Sequence, residues 1–123
     1  MSSSTEIVRK FCDAWSANDL DALMAFFTDD ALYHNIPVDP ITGVDAIRTT
    51  IAGFTQGVDK IEFRVDNIAA DGDVVLTERV DVFHLPGNTI ELPVMGTFEV
   101  TDGKIVAWRD YFDMQQFMSQ IQS

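Results

Sequence analysis

The chain changes its hydrophobic rhythm near the middle. In the first half, Ile7, Phe11, Ala14 and Trp15 recur at helical spacing, and Ser4 or Thr5 is placed to cap their helix. Asn18 is a candidate cap for a second, short helix that turns Leu20, Leu23, Met24 and Phe27 inward. Residues 31–36 read as a short strand, closed by Pro37 and Pro40. Val44, Ile47, Ile51 and Phe54 mark a third helix after Gly43. Beyond residue 60 the period drops to two. Ile61, Phe63 and Val65 alternate, as a strand with one buried face does. Strands then follow at 74–85, 89–101 and 104–112. Asp71-Gly72, Pro86-Gly87-Asn88 and Asp102-Gly103 separate them as turns, and Asp102-Gly103 is the strongest hairpin signal. Phe117, Met118 and Ile121 suggest a short terminal helix. Helices segregated from a meander of long strands predict an α+β fold, with a strongly curved sheet wrapped around the helices.

Length and composition narrow the picture. The 123 residues amount to one domain, and no repeat or linker divides them. Twenty Asp and Glu stand against eight Lys and Arg, a net charge of −12. Yet the chain is 46% hydrophobic, with nine Phe, two Trp and two Tyr. Acidic disordered chains lack such residues, so this one buries a core, on the order of two-thirds of its unfolded surface. The charge argues against nucleic acid, an anionic membrane or a strongly acidic substrate as partner. No apolar run approaches the roughly 20 residues of a membrane span. The start lacks the pattern of a signal peptide, and the single cysteine, Cys12, forms no internal disulfide. A cytoplasmic protein is the expectation.

Candidate chemistry lies on the strands. Alternation puts Thr77, Arg79, Asp81 and Phe83 on one face, and Val106, Trp108, Asp110 and Phe112 on one face of the last strand. Asp110 then sits between two aromatic residues, where a lone carboxylate is costly unless paired. Arg79 is the natural partner, and Asp81 points the same way. Two carboxylates sharing one cation in an apolar setting make an acid/base pair possible, because desolvation and repulsion raise a carboxyl pKa while the guanidinium lowers it. A structural ion-pair network is the alternative reading of the same residues. Tyr33 and Asn35, two apart on the short strand, can hold a water together. Cys12 reads as a small buried or boundary residue, and His34 and His84 as surface or strand-end residues. Two His and one Cys without ligand spacing give a zinc site little support.

Three motifs in order, Tyr33-His34-Asn35, Glu78-Arg79-Val80-Asp81 and Trp108-Arg109-Asp110-Tyr111-Phe112-Asp113, resemble the limonene-1,2-epoxide hydrolase family along nearly the whole chain. The resemblance implies one cone-shaped α+β domain over residues 1–123, of the cystatin-like type shared by ketosteroid isomerase, scytalone dehydratase and nuclear transport factor 2. It implies a homodimer that hydrolyses an apolar epoxide to a vicinal diol without metal or cofactor. By position, Asp110 with Tyr33 and Asn35 would bind the attacking water, and Asp110 would take its proton. Asp81 would protonate the epoxide oxygen. Arg79 would hold both carboxylates, and Trp108, Phe112 and Phe83 would be apolar walls. A chain this short, without a nucleophile elbow, is not an α/β-hydrolase epoxide hydrolase. Two other functions stay open at this point: an isomerase or cyclase on the same fold, and a non-catalytic small-molecule-binding dimerisation module.

Overall fold

The computed structural model describes residues 3–121. Helix α1 (Ser4–Ala14) and a 3-10 turn (Trp15–Ala17) lead to helix α2 (Leu20–Met24). Strand β1 (Phe27–Asn35), the two-residue strand β2 (Ile41–Thr42) and helix α3 (Val44–Thr55) complete the first half. Strands β3 (Lys60–Asp71), β4 (Val74–Leu85), β5 (Asn88–Thr101) and β6 (Lys104–Tyr111) form the meander, and helix α4 (Met114–Ile121) ends it. The sheet order is β2-β1-β6-β5-β4-β3. All pairs are antiparallel except β1 with β6, which run parallel. This is the α+β fold with a curved sheet that the pattern of periods predicts, and the cone that the family resemblance implies.

The helix starts differ from the expectation by one residue. Ser3, not Ser4 or Thr5, caps α1: its hydroxyl accepts the Glu6 N–H at 3.1 Å and donates to the Glu6 carboxylate at 3.2 Å. Only Ser3 has Glu6 three residues on, so only there can one hydroxyl bond both the backbone N–H and the carboxylate of the same glutamate. Likewise Asp19, not Asn18, caps α2 by accepting from Ala22 N. Asn18 instead takes a left-handed conformation, φ 55°, that ends the 3-10 turn, as its short amide tolerates. Phe27 opens β1 rather than closing α2. The backbone there is claimed by β6: Ile105 N donates to Phe26 O at 2.7 Å, and Phe27 faces Ile105. Strand β2 went unpredicted because two residues beside Pro40 carry no periodicity. At the β5–β6 turn, Asp102 (φ 52°) and Gly103 (φ 79°) both adopt positive φ, the two-residue hairpin geometry that an Asp-Gly pair favours.

One end of the cone is filled. Val8, Phe11 and Cys12 of α1 and Trp15 of the 3-10 turn are buried against the concave face of the sheet. The Phe11 ring meets Trp15, Phe26, Phe27, Phe98 and Trp108 edge-on, with centroids 5.1–5.9 Å apart. Edge-to-face packing suits rings whose rims and faces carry opposite partial charge. Burial pushes the Cys12 thiol up to about 12, so it stays protonated and behaves as a small apolar residue. Trp108, fully buried, stacks on Phe98 and on Tyr33. The other end of the cone is left open, and the functional groups face it. Among the described residues, no helix is long and apolar enough to cross a membrane.

Candidate active site

A cavity of about 380 Å³ occupies the open end, within the ~300–1,000 Å³ common for small-molecule sites. Phe63, Phe83, Ile90, Leu92, Val94 and Phe112 give it apolar walls, and Met114, Phe117 and Ile121 of α4 close one side. Tyr33, Asn35, Asp81 and Asp110 bring nearly all the polarity.

The two aspartates arrive from strands that do not touch. Arg79 and Asp81 lie two apart on β4, hence on one face. Asp110 lies on β6, with β5 between. The register places Thr77, Gly96 and Asp110 in a row across the three strands. Strands two apart in a sheet are about 10 Å apart, a gap that an arginine can bridge only if nothing rises from the strand between. Gly96 has no side chain to rise there. A β-carbon at this position would lie 2.6 Å from Asp110 Oδ1, 3.0 Å from Thr77 Oγ1 and closer still to Arg79 Nη1.

Arg79 is 1% exposed and spends every N–H it has. Nε and Nη2 donate to Asp81 Oδ1 and Oδ2 at 3.0 and 2.9 Å. Nη1 and Nη2 donate to Asp110 Oδ1 and Oδ2 at 3.1 and 2.8 Å. The second Nη1 hydrogen goes to Thr77 Oγ1 at 3.2 Å. The Phe63 ring lies against the guanidinium, 4.5 Å from centroid to Cζ. A guanidinium has five donors, and five acceptors meet them here. A lone buried charge of this kind is strongly unfavourable, while two bidentate carboxylates offset much of that penalty. Arg79 therefore holds the site without any hydrogen left for a ligand.

Titration follows from this geometry. Burial pushes the Asp81 carboxyl up to about 6; Arg79 opposes the rise and the Asp110 charge adds to it. Burial alone would lower Arg79, but the charges of Asp110 and Asp81 hold its pKa well above the usual value. Tyr33 is raised, chiefly by burial and then by the Asp110 charge, so its hydroxyl keeps its proton. The Asn35 amide donates to that hydroxyl at 3.0 Å. Parallel pairing sets Tyr33 beside Trp108 and Asn35 beside Asp110, which carries the phenol and the amide to the carboxylate.

Of the residues singled out from sequence, Tyr33, Asn35, Asp81, Asp110, Phe83 and Phe112 line the cavity. Trp108 does not. It lies behind the carboxylate and donates its indole N–H to Asp110 Oδ1 at 2.7 Å. Its face supports the Tyr33 ring, centroids 4.4 Å apart. The expectation of an apolar wall therefore gives way to that of a support for the two groups in front of it. Sequence reasoning placed Thr77, Phe63 and the terminal helix on their elements but not at the site, and missed Gly96 altogether. A glycine inside a long strand was the available signal for it. Among the described residues, no group of three or more His, Cys, Asp or Glu is placed to hold a metal ion. His34 and His84 stand apart, bonded to Val38 O and the Glu62 carboxylate.

A curved sheet enclosing a polar floor in an apolar cavity defines an α+β cone built around a small-molecule site. The chain belongs to the limonene-1,2-epoxide hydrolase catalytic domain family, whose model matches residues 2–123. It is 37% identical over 107 residues to the epoxide hydrolase EphG of Mycobacterium tuberculosis, covering 87% of this chain and 71% of that protein. It superposes on the structure of a Mycobacterium tuberculosis LEH-like epoxide hydrolase with a TM-score of 0.84 and 34% identity, over 97% of this chain and 89% of that one. A SnoaL-like polyketide cyclase from Shewanella denitrificans reaches a TM-score of 0.87 at 16% identity, over 97% and 96% of the two chains. That likeness is one of fold alone.

Proposed function

We propose that this chain, as one cone domain, hydrolyses an apolar epoxide to a vicinal diol in a single step, with no metal or cofactor. The observation that carries the reading is the pair of cavity-facing aspartates bridged by one saturated arginine. An epoxide opens when its oxygen gains a proton as water attacks carbon. Asp81, the carboxyl pushed up to about 6, is the acid. Asp110 is the base. Water sits among Asp110, the Tyr33 hydroxyl and the free oxygen of the Asn35 amide. In the step, the water oxygen bonds to carbon and the C–O bond breaks. The Asp81 proton goes to the departing oxygen, and a water proton goes to Asp110. Return of that proton from Asp110 to Asp81 resets the site. Acid and base held on opposite sides of one ring supply both orientation and proton transfer.

The apolar walls fit an uncharged, oily substrate of the limonene-oxide kind. An isomerase of the ketosteroid kind would want a neutral oxyanion hole; the Arg79 cation beside Asp81 disfavours that reading. A homodimer is the proposed assembly. Leu76, Met95 and Tyr111, all exposed, lie on the outward face of β4, β5 and β6 and offer a second copy an apolar surface. Sedimentation of the purified protein tests it.

The activity is tested by incubation with limonene oxide, cyclohexene oxide and styrene oxide, with diol as the product sought. At least one is turned over in the presence of chelator. A single turnover in heavy-oxygen water labels the diol at once. Label that appears only from the second turnover would mean a covalent enzyme ester and would overturn the mechanism.

A further inference from the structure

Helix α4 lies over the cavity with little to hold it. None of its residues is fully buried. Its start is fixed by Asp113, whose carboxylate accepts from the N–H groups of Gln115 and Gln116 at 2.9 and 3.2 Å. In the middle, the Phe117 ring meets Phe83 edge-on, centroids 5.8 Å apart. The far end is fastened in another way. Strand β5 pairs with β6 only from Met95 onward, so β6 leaves its first half open along one margin. There the Gln120 side chain stands in for a neighbouring strand. Its Oε1 accepts from Glu91 N at 2.9 Å and its Nε2 donates to Glu91 O at 2.8 Å. The Gln120 carbonyl also accepts from Asn88 Nδ2 at 3.1 Å. One primary amide thus satisfies both backbone groups of a strand residue.

We propose that Gln120 is a positioning residue that latches α4 across the cavity as a wall for the far end of a bulky substrate. Phe83 is two residues beyond Asp81, about 7 Å along the strand, and Phe117 lies past it. A small epoxide held at Asp81 and Asp110 fits without touching α4. An epoxide with a large apolar substituent reaches Phe117 and Ile121, and its affinity depends on α4 being in place. The substrate side of this inference rests on the hydrolase reading; the latch does not.

The test uses Gln120→Ala and Gln120→Glu in the intact chain. Gln120→Glu keeps the acceptor for Glu91 N–H and loses the donor to Glu91 O. Gln115→Ala, an exposed change on the same helix, is the control. Amide hydrogen exchange over residues 113–121 quickens about tenfold in both Gln120 variants and not in the control, because the helix opens without global unfolding. The neutral fluorophore N-phenyl-1-naphthylamine binds at least about threefold more weakly. KM for stilbene oxide rises severalfold, while kcat and KM for cyclohexene oxide hold. Unchanged exchange in both variants overturns the latch. Faster exchange with unchanged fluorophore affinity and unchanged stilbene oxide KM overturns the wall. If the unaltered protein turns over no epoxide, the hydrolase reading fails alone, and exchange and fluorophore binding still decide the latch.

Discussion

Replacing Gly96 by alanine adds one methyl group at the most crowded point of the site. The new carbon would lie 2.6 Å from Asp110 Oδ1. Ordinary contact begins near 3.4 Å, so Asp110 must give way by about 0.8 Å and Arg79 by more. None of the neighbours is the loose end of a flexible chain. Arg79 is fixed by five hydrogen bonds, and Asp110 by Arg79 and the Trp108 indole. Overpacking of this size costs about 1–3 kcal/mol of stability. A misplacement near 1 Å at the reacting groups costs about a hundredfold in rate. Gly96→Ala therefore folds with a lowered urea midpoint, and kcat on a turned-over epoxide drops by about two decades. KM barely changes, because the apolar walls that bind substrate are untouched. Circular dichroism establishes the fold, and Gly53→Ala, a helical site with nothing within 4 Å, controls for loss of a glycine. A folded Gly96→Ala protein with kcat within about threefold of the parent would refute the idea that this gap sets the geometry of the acid/base pair.

Four further outcomes follow from the same cluster. Asp81→Asn and Asp110→Asn each abolish diol formation with the fold retained; normal turnover by either removes the mechanism. For the free enzyme, kcat/KM falls as pH rises through about 6, because Asp81 loses the proton it must donate; a profile that rises from pH 5 to 8 contradicts the assignment. The raised Asp81 also makes a stability contribution that is full below its ordinary 3.8 and is lost as pH rises through about 6, which urea melts across that window measure. Arg79→Met strands two buried carboxylates and destabilises by about 3–5 kcal/mol at neutral pH. Part of that loss returns at pH 4 as Asp81 takes up a proton, and equal destabilisation at both pH values argues against the bridge.

The period-two alternation makes the faces of the candidate site legible. Arg79 with Asp81, and Trp108 with Asp110, share faces because strand geometry leaves no other choice. Charged residues interleaved with aromatics on one face then demanded a partner, and the partner was the one expected. Which strands lie side by side was not legible. Without β5 known to lie between β4 and β6, Gly96 looks like a weak spot in a strand rather than a passage for a side chain. Trp108 was misjudged for a related reason. Alternation says which face a residue takes, not how deep along the cone it lies, and Trp108 lies at the filled end. The role of Gln120 was out of reach too, since it depends on where β6 stops. The cap at Ser3 is legible in its spacing to Glu6, and the cap at Asp19 in its place directly before Leu20, where the short helix begins.

Strand β5 divides the molecule's tolerance for change. Ile90, Leu92 and Val94 line the cavity at alternate positions that lead up to Gly96. The first three are walls whose size can be traded without disturbing a single hydrogen bond of the Arg79 cluster. The fourth takes no side chain without displacing that cluster. Residues varied one after another along the same strand can therefore reshape the cavity, while two residues further on the bare backbone of Gly96 leaves the Arg79 cluster its room.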